Sequence, residues 1–127
     1  METCNYNHQP LRKNSLGWDI YPPGLFKLLV GLKKYNLPIL ITENGICTEN
    51  DDLRWDYIRE HLQELHKAIG QGVKVIGYIY WSLLDNFEWD KGFGPRFGLV
   101  QIDYQTQKRT IKASALKLAE VACSGEI

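Results

Sequence analysis

Apolar side chains gather into short runs along the chain, and the spacing within each run changes from segment to segment. Residues 1–16 are polar, follow neither a two-residue nor a 3.6-residue repeat, and read as an irregular lead-in to a single unit over 17–127. After Tyr21-Pro22-Pro23-Gly24, whose prolines suit a first helical turn, Leu25, Leu28, Leu29 and Leu32 predict a helix over 24–35. The compact run 37–42, Leu-Pro-Ile-Leu-Ile-Thr, predicts a strand buried on both faces. A helix over 53–70 follows, with Trp55, Ile58, Leu62, Leu65 and Ile69 as its apolar stripe, Asp51 or Asp52 as its cap, and Gly70 or Gly72 as its end. A second buried strand is predicted over 73–81, then a long loop over 83–98, and a hairpin arm over 99–104 that returns after a turn at 105–108. The last helix, 113–123, carries Leu116, Ala119 and Ala122 on one side. Two apolar strands joined by an eighteen-residue helix make a βαβ unit with a parallel sheet, so the fold class is α/β.

Composition narrows the function. Fifteen basic and fifteen acidic residues cancel, and the pI is near 6.8, which argues against a nucleic-acid or anionic-membrane partner. No run reaches the roughly 20 apolar residues of a membrane span, and the first ten residues have no secretory-signal pattern, so a cytoplasmic location is expected. Cys4, Cys47 and Cys123 are too far apart for a zinc or redox motif and read as reduced thiols. His61 and His66 are five apart, not the three or four that bring two ligands to one helix face, so neither a metal nor a cofactor is expected.

Function in such folds lies at the carboxyl ends of the strands. The first strand ends in Thr42-Glu43-Asn44-Gly45, which alone also fits a plain turn with Asn44 and Gly45 in left-handed conformations. The second ends in Trp81, which alone also fits core packing. The loop beyond it is dense in aromatics, with Trp81, Phe87, Trp89, Phe93 and Phe97 within seventeen positions and Glu88 flanked by two of them. Carboxylates among indoles suit a pyranose, whose C–H face lies on an aromatic ring while its hydroxyls donate to carboxylates. Glycoside hydrolysis also needs a carboxylate pair, and Glu43 is placed to be one of them.

Ile41-Thr42-Glu43-Asn44-Gly45, then Tyr80-Trp81-Ser82-Leu83-Leu84-Asp85-Asn86-Phe87-Glu88-Trp89, then Arg96-Phe97-Gly98-Leu99-Val100 resemble the C-terminal part of family 1 glycoside hydrolases, the β-glucosidase type. The resemblance implies a (β/α)8 TIM barrel of which this chain is about strands 7 and 8 with flanking helices and a hairpin. It implies Glu43 as catalytic nucleophile, Trp81 as the platform for the glycone ring, and Glu88 as the carboxylate holding two of its hydroxyls. Trp89 would donate to a third hydroxyl, and Phe97 would border the hydroxymethyl group. A retaining β-glycosidase acting on a β-linked glucoside is the implied activity. The family's acid/base Glu stands in an Asn-Glu-Pro motif after the fourth strand, and no Asn-Glu-Pro occurs in these 127 residues. Glu49, Asp51, Asp52, Asp85 and Asp90 fall in rim loops, where a solvated carboxylate lacks the raised pKa of a general acid. The chain alone is therefore expected to be inactive, and to associate with itself or with a complementary barrel portion. The alternative is a noncatalytic sugar-binding or interaction module.

Overall fold

The structure is a computed structural model that describes residues 11–127. Most of the expected lead-in thus lies outside the described residues. Within its remainder, Lys13 bridges to Asp19 in an isolated antiparallel pair.

Helix α1, Pro22–Leu32, starts on its two prolines and tightens into a 3-10 turn, Lys33–Tyr35, which Asn36 ends in the left-handed conformation at φ 52°. Strand β1, Ile39–Asn44, starts two residues later and ends two residues later than the apolar run 37–42, because Glu43 and Asn44 continue the extended backbone. Helix α2, Asp51–Gly70, is capped by Asn50, whose Oδ1 accepts from the amides of Asp52 at 3.0 Å and Leu53 at 3.1 Å. Neither expected aspartate caps it. Asp51 instead accepts from the amide of Ser114 at 2.9 Å and its hydroxyl at 2.6 Å, joining α2 to the start of α3. Strand β2, Val75–Tyr80, pairs parallel to β1, as the βαβ reading requires. A hairpin of β3, Val100–Ile102, and β4, Arg109–Ile111, leads into α3, Ala113–Ser124.

The core fills one side of the β1–β2 sheet. Leu29, Ile41, Leu65, Ala68 and Val73 pack between α1, α2 and the sheet, while Ile58, Leu62, Tyr80 and Leu99 meet Ala115, Leu118 and Val121 of α3. Two helical stripes differ from expectation. On α2, steps of four and three run through Arg54, Ile58, His61, Leu65 and Ala68, all buried, which leaves Ile69 about 100° past Ala68 and exposed. On α3 the buried side is Ala115, Leu118 and Val121, and Leu116, Ala119 and Ala122 face outward. Both α3 triplets have the same spacing, so periodicity cannot choose between them. The larger apolar volume of Leu and Val decides it.

The sheet's other face is bare. Leu40, Ile79 and Trp81 are exposed there, and Gly77 leaves room for Leu40, since a Cβ at that position would lie 2.7 Å from Leu40 Cδ1.

Candidate active site at the strand ends

The pairing of β1 with β2 aims the chemistry. Ile41 pairs with Tyr78 and Asn44 with Tyr80, so three steps on β1 oppose two on β2. Ile41 packs against the helices, and so does Asn44, whose Nδ2 donates to Tyr57 Oη at 3.1 Å while its Oδ1 accepts from Tyr78 Oη at 2.8 Å. Residues three apart share a sheet face only where one extra residue is inserted. The insertion frees Glu43, which a regular strand would have turned toward α2 together with Ile41. Glu43 is exposed, and its carboxylate has no hydrogen-bond or ion-pair partner among the described residues. The plain-turn reading fails on backbone grounds as well. Glu43 and Asn44 lie within the strand, and neither Asn44 nor Gly45 has a positive φ.

Gly45 serves a different purpose: a Cβ there would sit 1.7 Å from the carbonyl oxygen of Trp81. The Trp81 amide also donates to Asn44 O at 3.0 Å. The carboxyl ends of the two strands are therefore in backbone contact, which sets Glu43 and Trp81 on adjacent strand ends at one rim. The Trp81–Ser82 peptide bond is cis, and the Trp81 indole is 38% exposed.

Beyond Trp81 the chain is tied back to the strand ends. Leu99 N donates to Ser82 O at 2.9 Å, Ser82 N to Phe97 O at 3.4 Å, and Thr48 N to Arg96 O at 3.0 Å. Ser82 Oγ reaches Asn86 Oδ1 at 3.3 Å, and Asn86 Nδ2 donates to Glu88 Oε2 at 2.8 Å, which leaves the half-buried Glu88 a second oxygen for a ligand. Burial pushes the Cys47 thiol pKa up, the Arg96 backbone and Arg54 oppose this, and Glu88 and Asp85 add to it. Glu88 therefore lies within electrostatic range of the loop that follows Glu43. Trp89 projects from a 3-10 turn, Trp89–Lys91, with its indole 80% exposed.

Phe97 differs from the other candidates. It is only 3% exposed and meets the ring of Trp18 at 6.3 Å, so it offers a ligand an edge at most. Trp18 itself is open to solvent and adds another indole to this rim. Sequence reading missed it because it stands in a short segment without a repeat.

Asp85 also departs from expectation. It is not a solvated rim acid but is buried, accepting from Gly98 N at 2.9 Å, Arg96 Nη1 at 3.0 Å and Ile102 N at 3.2 Å. With both oxygens engaged and buried it holds the loop together rather than facing a substrate. Asp51 is likewise engaged, its pKa lowered because the bonds from Ser114 and the charge of Arg54 outweigh the opposing effect of burial. Among the described residues no three His, Cys, Asp or Glu side chains converge as metal ligands, and no helix is long and apolar enough to cross a membrane.

A free carboxylate beside an indole at paired strand ends, with a bonded carboxylate and another indole in the next loop, gives the family comparison a site to bear on. The model of glycosyl hydrolase family 1 matches residues 2–126. The chain belongs to glycosyl hydrolase family 1. It is 41% identical over 118 residues to a β-galactosidase of Saccharolobus solfataricus, covering 92% of this chain and 24% of that protein. It is 42% identical over 121 residues to β-glucosidase A of Thermotoga maritima, covering 87% of this chain and 27% of that protein. Among solved structures, a β-glycosidase from Pyrococcus horikoshii superposes with TM-score 0.89 at 51% identity, over 91% of this chain and 27% of that one. The family 1 β-glucosidase from Thermotoga maritima gives TM-score 0.90 at 39% identity, over 94% and 30%. The chain thus spans about a quarter of the length of the family 1 relatives it matches.

Proposed function

We propose that this family 1 chain supplies the nucleophile and the glycone-binding rim of a retaining β-glycosidase, as strands 7 and 8 of its (β/α)8 barrel. The observation that carries this reading is the unpartnered Glu43 carboxylate beside Trp81 at strand ends in backbone contact. Glu43 attacks the anomeric carbon to form a glycosyl ester while the aglycone oxygen takes a proton from a second carboxylic acid. Water, deprotonated by that second group, then releases the sugar and regenerates Glu43. The two carboxyl groups must stand about 5–5.5 Å apart. Asp85 and Asp51 are occupied elsewhere, so the second group comes from the barrel portion that faces the bare side of β1 and β2. Trp81 stacks on the ring, the open oxygen of Glu88 takes sugar hydroxyls, Trp89 donates its indole N–H to another, and Phe97 supports the rim beneath Trp18. A structure of the Thermotoga maritima β-glucosidase holds glucoimidazole, which supports a β-linked glucoside as the substrate class here.

A second reading, sugar binding without turnover, is favoured by the engagement of Asp51 and Asp85 in internal hydrogen bonds. One experiment separates the two. The chain is mixed with the N-terminal three-quarters of a family 1 β-glucosidase and treated with a 2-deoxy-2-fluoroglucoside carrying a good leaving group. The catalytic reading predicts one added fluorosugar, mapped by mass spectrometry to the peptide containing Glu43 and absent from Glu43→Gln. No adduct, or one mapped elsewhere, contradicts it.

A further inference from the structure

Arg54 is fully buried among the loops of the rim, and the glycosidase chemistry above leaves it without a task. Taking a guanidinium out of water costs several kcal/mol unless its donors are met. Here they are met almost entirely by neutral oxygens. Nη1 donates to Ile46 O, Tyr80 Oη and Phe97 O, each at 3.0 Å. Nη2 donates to Thr48 O through a short bond and to Arg96 O at 3.2 Å. The one anionic partner, Asp51, reaches only Nε, at 3.3 Å, and shares its oxygens with Ser114.

These acceptors belong to three separate stretches that form the rim. Ile46 and Thr48 lie on the loop that leaves Glu43, Tyr80 immediately precedes Trp81, and Arg96 and Phe97 close the loop that carries Glu88 and Trp89. Only a planar fork of five N–H groups spans such a set, and an ammonium with three tetrahedral donors does not. Arg96 extends the linkage, because its carbonyl takes Arg54 and the Thr48 amide while its own guanidinium takes the buried Asp85. A cation meant only to stabilise the core would pair with an anion and touch one or two elements.

We propose that Arg54 is the positioning residue of this site, holding the loop after Glu43 in register with the segment that carries Trp81, Glu88 and Trp89. Its structural part stands independently, whereas its kinetic consequence rests on the glycosidase reading. Substituting Arg54 would leave both loops attached to their strands but let them move against each other.

The test uses amide hydrogen exchange on the full chain, comparing wild type with Arg54→Lys and Arg54→Met. The expected result is a loss of protection of about tenfold or more at the Thr48, Ser82 and Leu99 amides, with the Ile39 amide, which donates to Lys74 O, changed by less than about threefold. Equal loss at all four amides, or unchanged rim amides, overturns the proposal. Should both variants fail to fold, wild type alone still decides. The Arg54 guanidinium protons then exchange in step with the Thr48 amide if one opening frees both, and at an unrelated rate if the proposal is wrong. In the assembled barrel, Arg54→Lys is expected to slow Glu43 labelling by the fluoroglucoside about tenfold at saturation, with little change in the concentration needed for half-saturation. A purely structural residue changes only the amount of labelled protein, not the rate constant of the folded fraction. Absence of labelling in wild type refutes the glycosidase reading, and the exchange data then decide the clamp on their own.

Discussion

Glu43 owes its exposure to one inserted residue, since without the irregularity after Ile41 it would face α2 as Ile41 does. The side chains around it divide between those open to solvent and those that hold backbone. Trp81, Trp89 and the second oxygen of Glu88 are open, whereas Arg54 and Asp85 spend every polar atom inside the protein. Trp81→Ala and Glu88→Ala are therefore each expected to weaken binding of a glucose-like ligand to the assembled site by about 1–3 kcal/mol, through lost stacking and a lost charge-assisted hydrogen bond. Calorimetry giving wild-type affinity for both variants would refute their assigned roles. Glu43, Trp81 and Glu88 stood out in the sequence by their place at strand ends and among aromatics, but their separate roles came only from the family resemblance. Arg54 was not, because a lone arginine in a charged helix carries no local sign that five of its acceptors converge from distant segments.

Among the described elements, the three helices and strands β1, β2 and β3 were foreseeable from hydrophobic spacing and β4 from the turn that returns the hairpin, but their faces were less so. On α2 the expected stripe ran one position too far, and the position it should have included at mid-helix was His61. That ring is buried, stacks on Tyr57 with centroids 3.9 Å apart, and its Nδ1 meets Tyr57 O at 2.7 Å. Burial lowers the His61 pKa from its ordinary value near 6.5, and the Tyr57 carbonyl, Glu60 and Glu64 offset this only in part. The folded chain thus binds fewer protons here than the unfolded one just below pH 6.5. This contribution to stability is complete above that value and is lost as the pH falls toward the folded pKa. Urea midpoints should accordingly drop between pH 7 and pH 5, with a shallower drop in His61→Gln. Equal slopes in the two proteins would show that the imidazole is not the group responsible. Burial also raises the Tyr57 pKa to about 12, so its hydroxyl keeps its proton and its bond with Asn44 through this range.

At the scale of the whole molecule, the helices cover one side of a two-stranded sheet, and the other side presents Leu40, Ile79 and Trp81 to solvent. Apolar surface of this kind marks an interface, and the cover we propose for it is the remaining portion of a family 1 barrel. The α/β class and the parallel pairing could be read from the order of apolar runs. Parallel pairing also puts both strand ends at one rim, as the sequence implied; the close backbone approach of Gly45 to the Trp81 carbonyl, thirty-six residues apart, was not legible, because nothing local to either segment signals it. The meeting of the strand ends underlies everything proposed here, and fluorine NMR of the assembled barrel, with 5-fluorotryptophan at the four tryptophans of this chain, tests it most directly. Titration with a glucose-mimicking iminosugar should shift Trp81 and Trp89 together along one binding curve and leave Trp55, on α2, unmoved. Separate curves for Trp81 and Trp89, or a response confined to Trp55, would contradict a single sugar pocket at the strand ends.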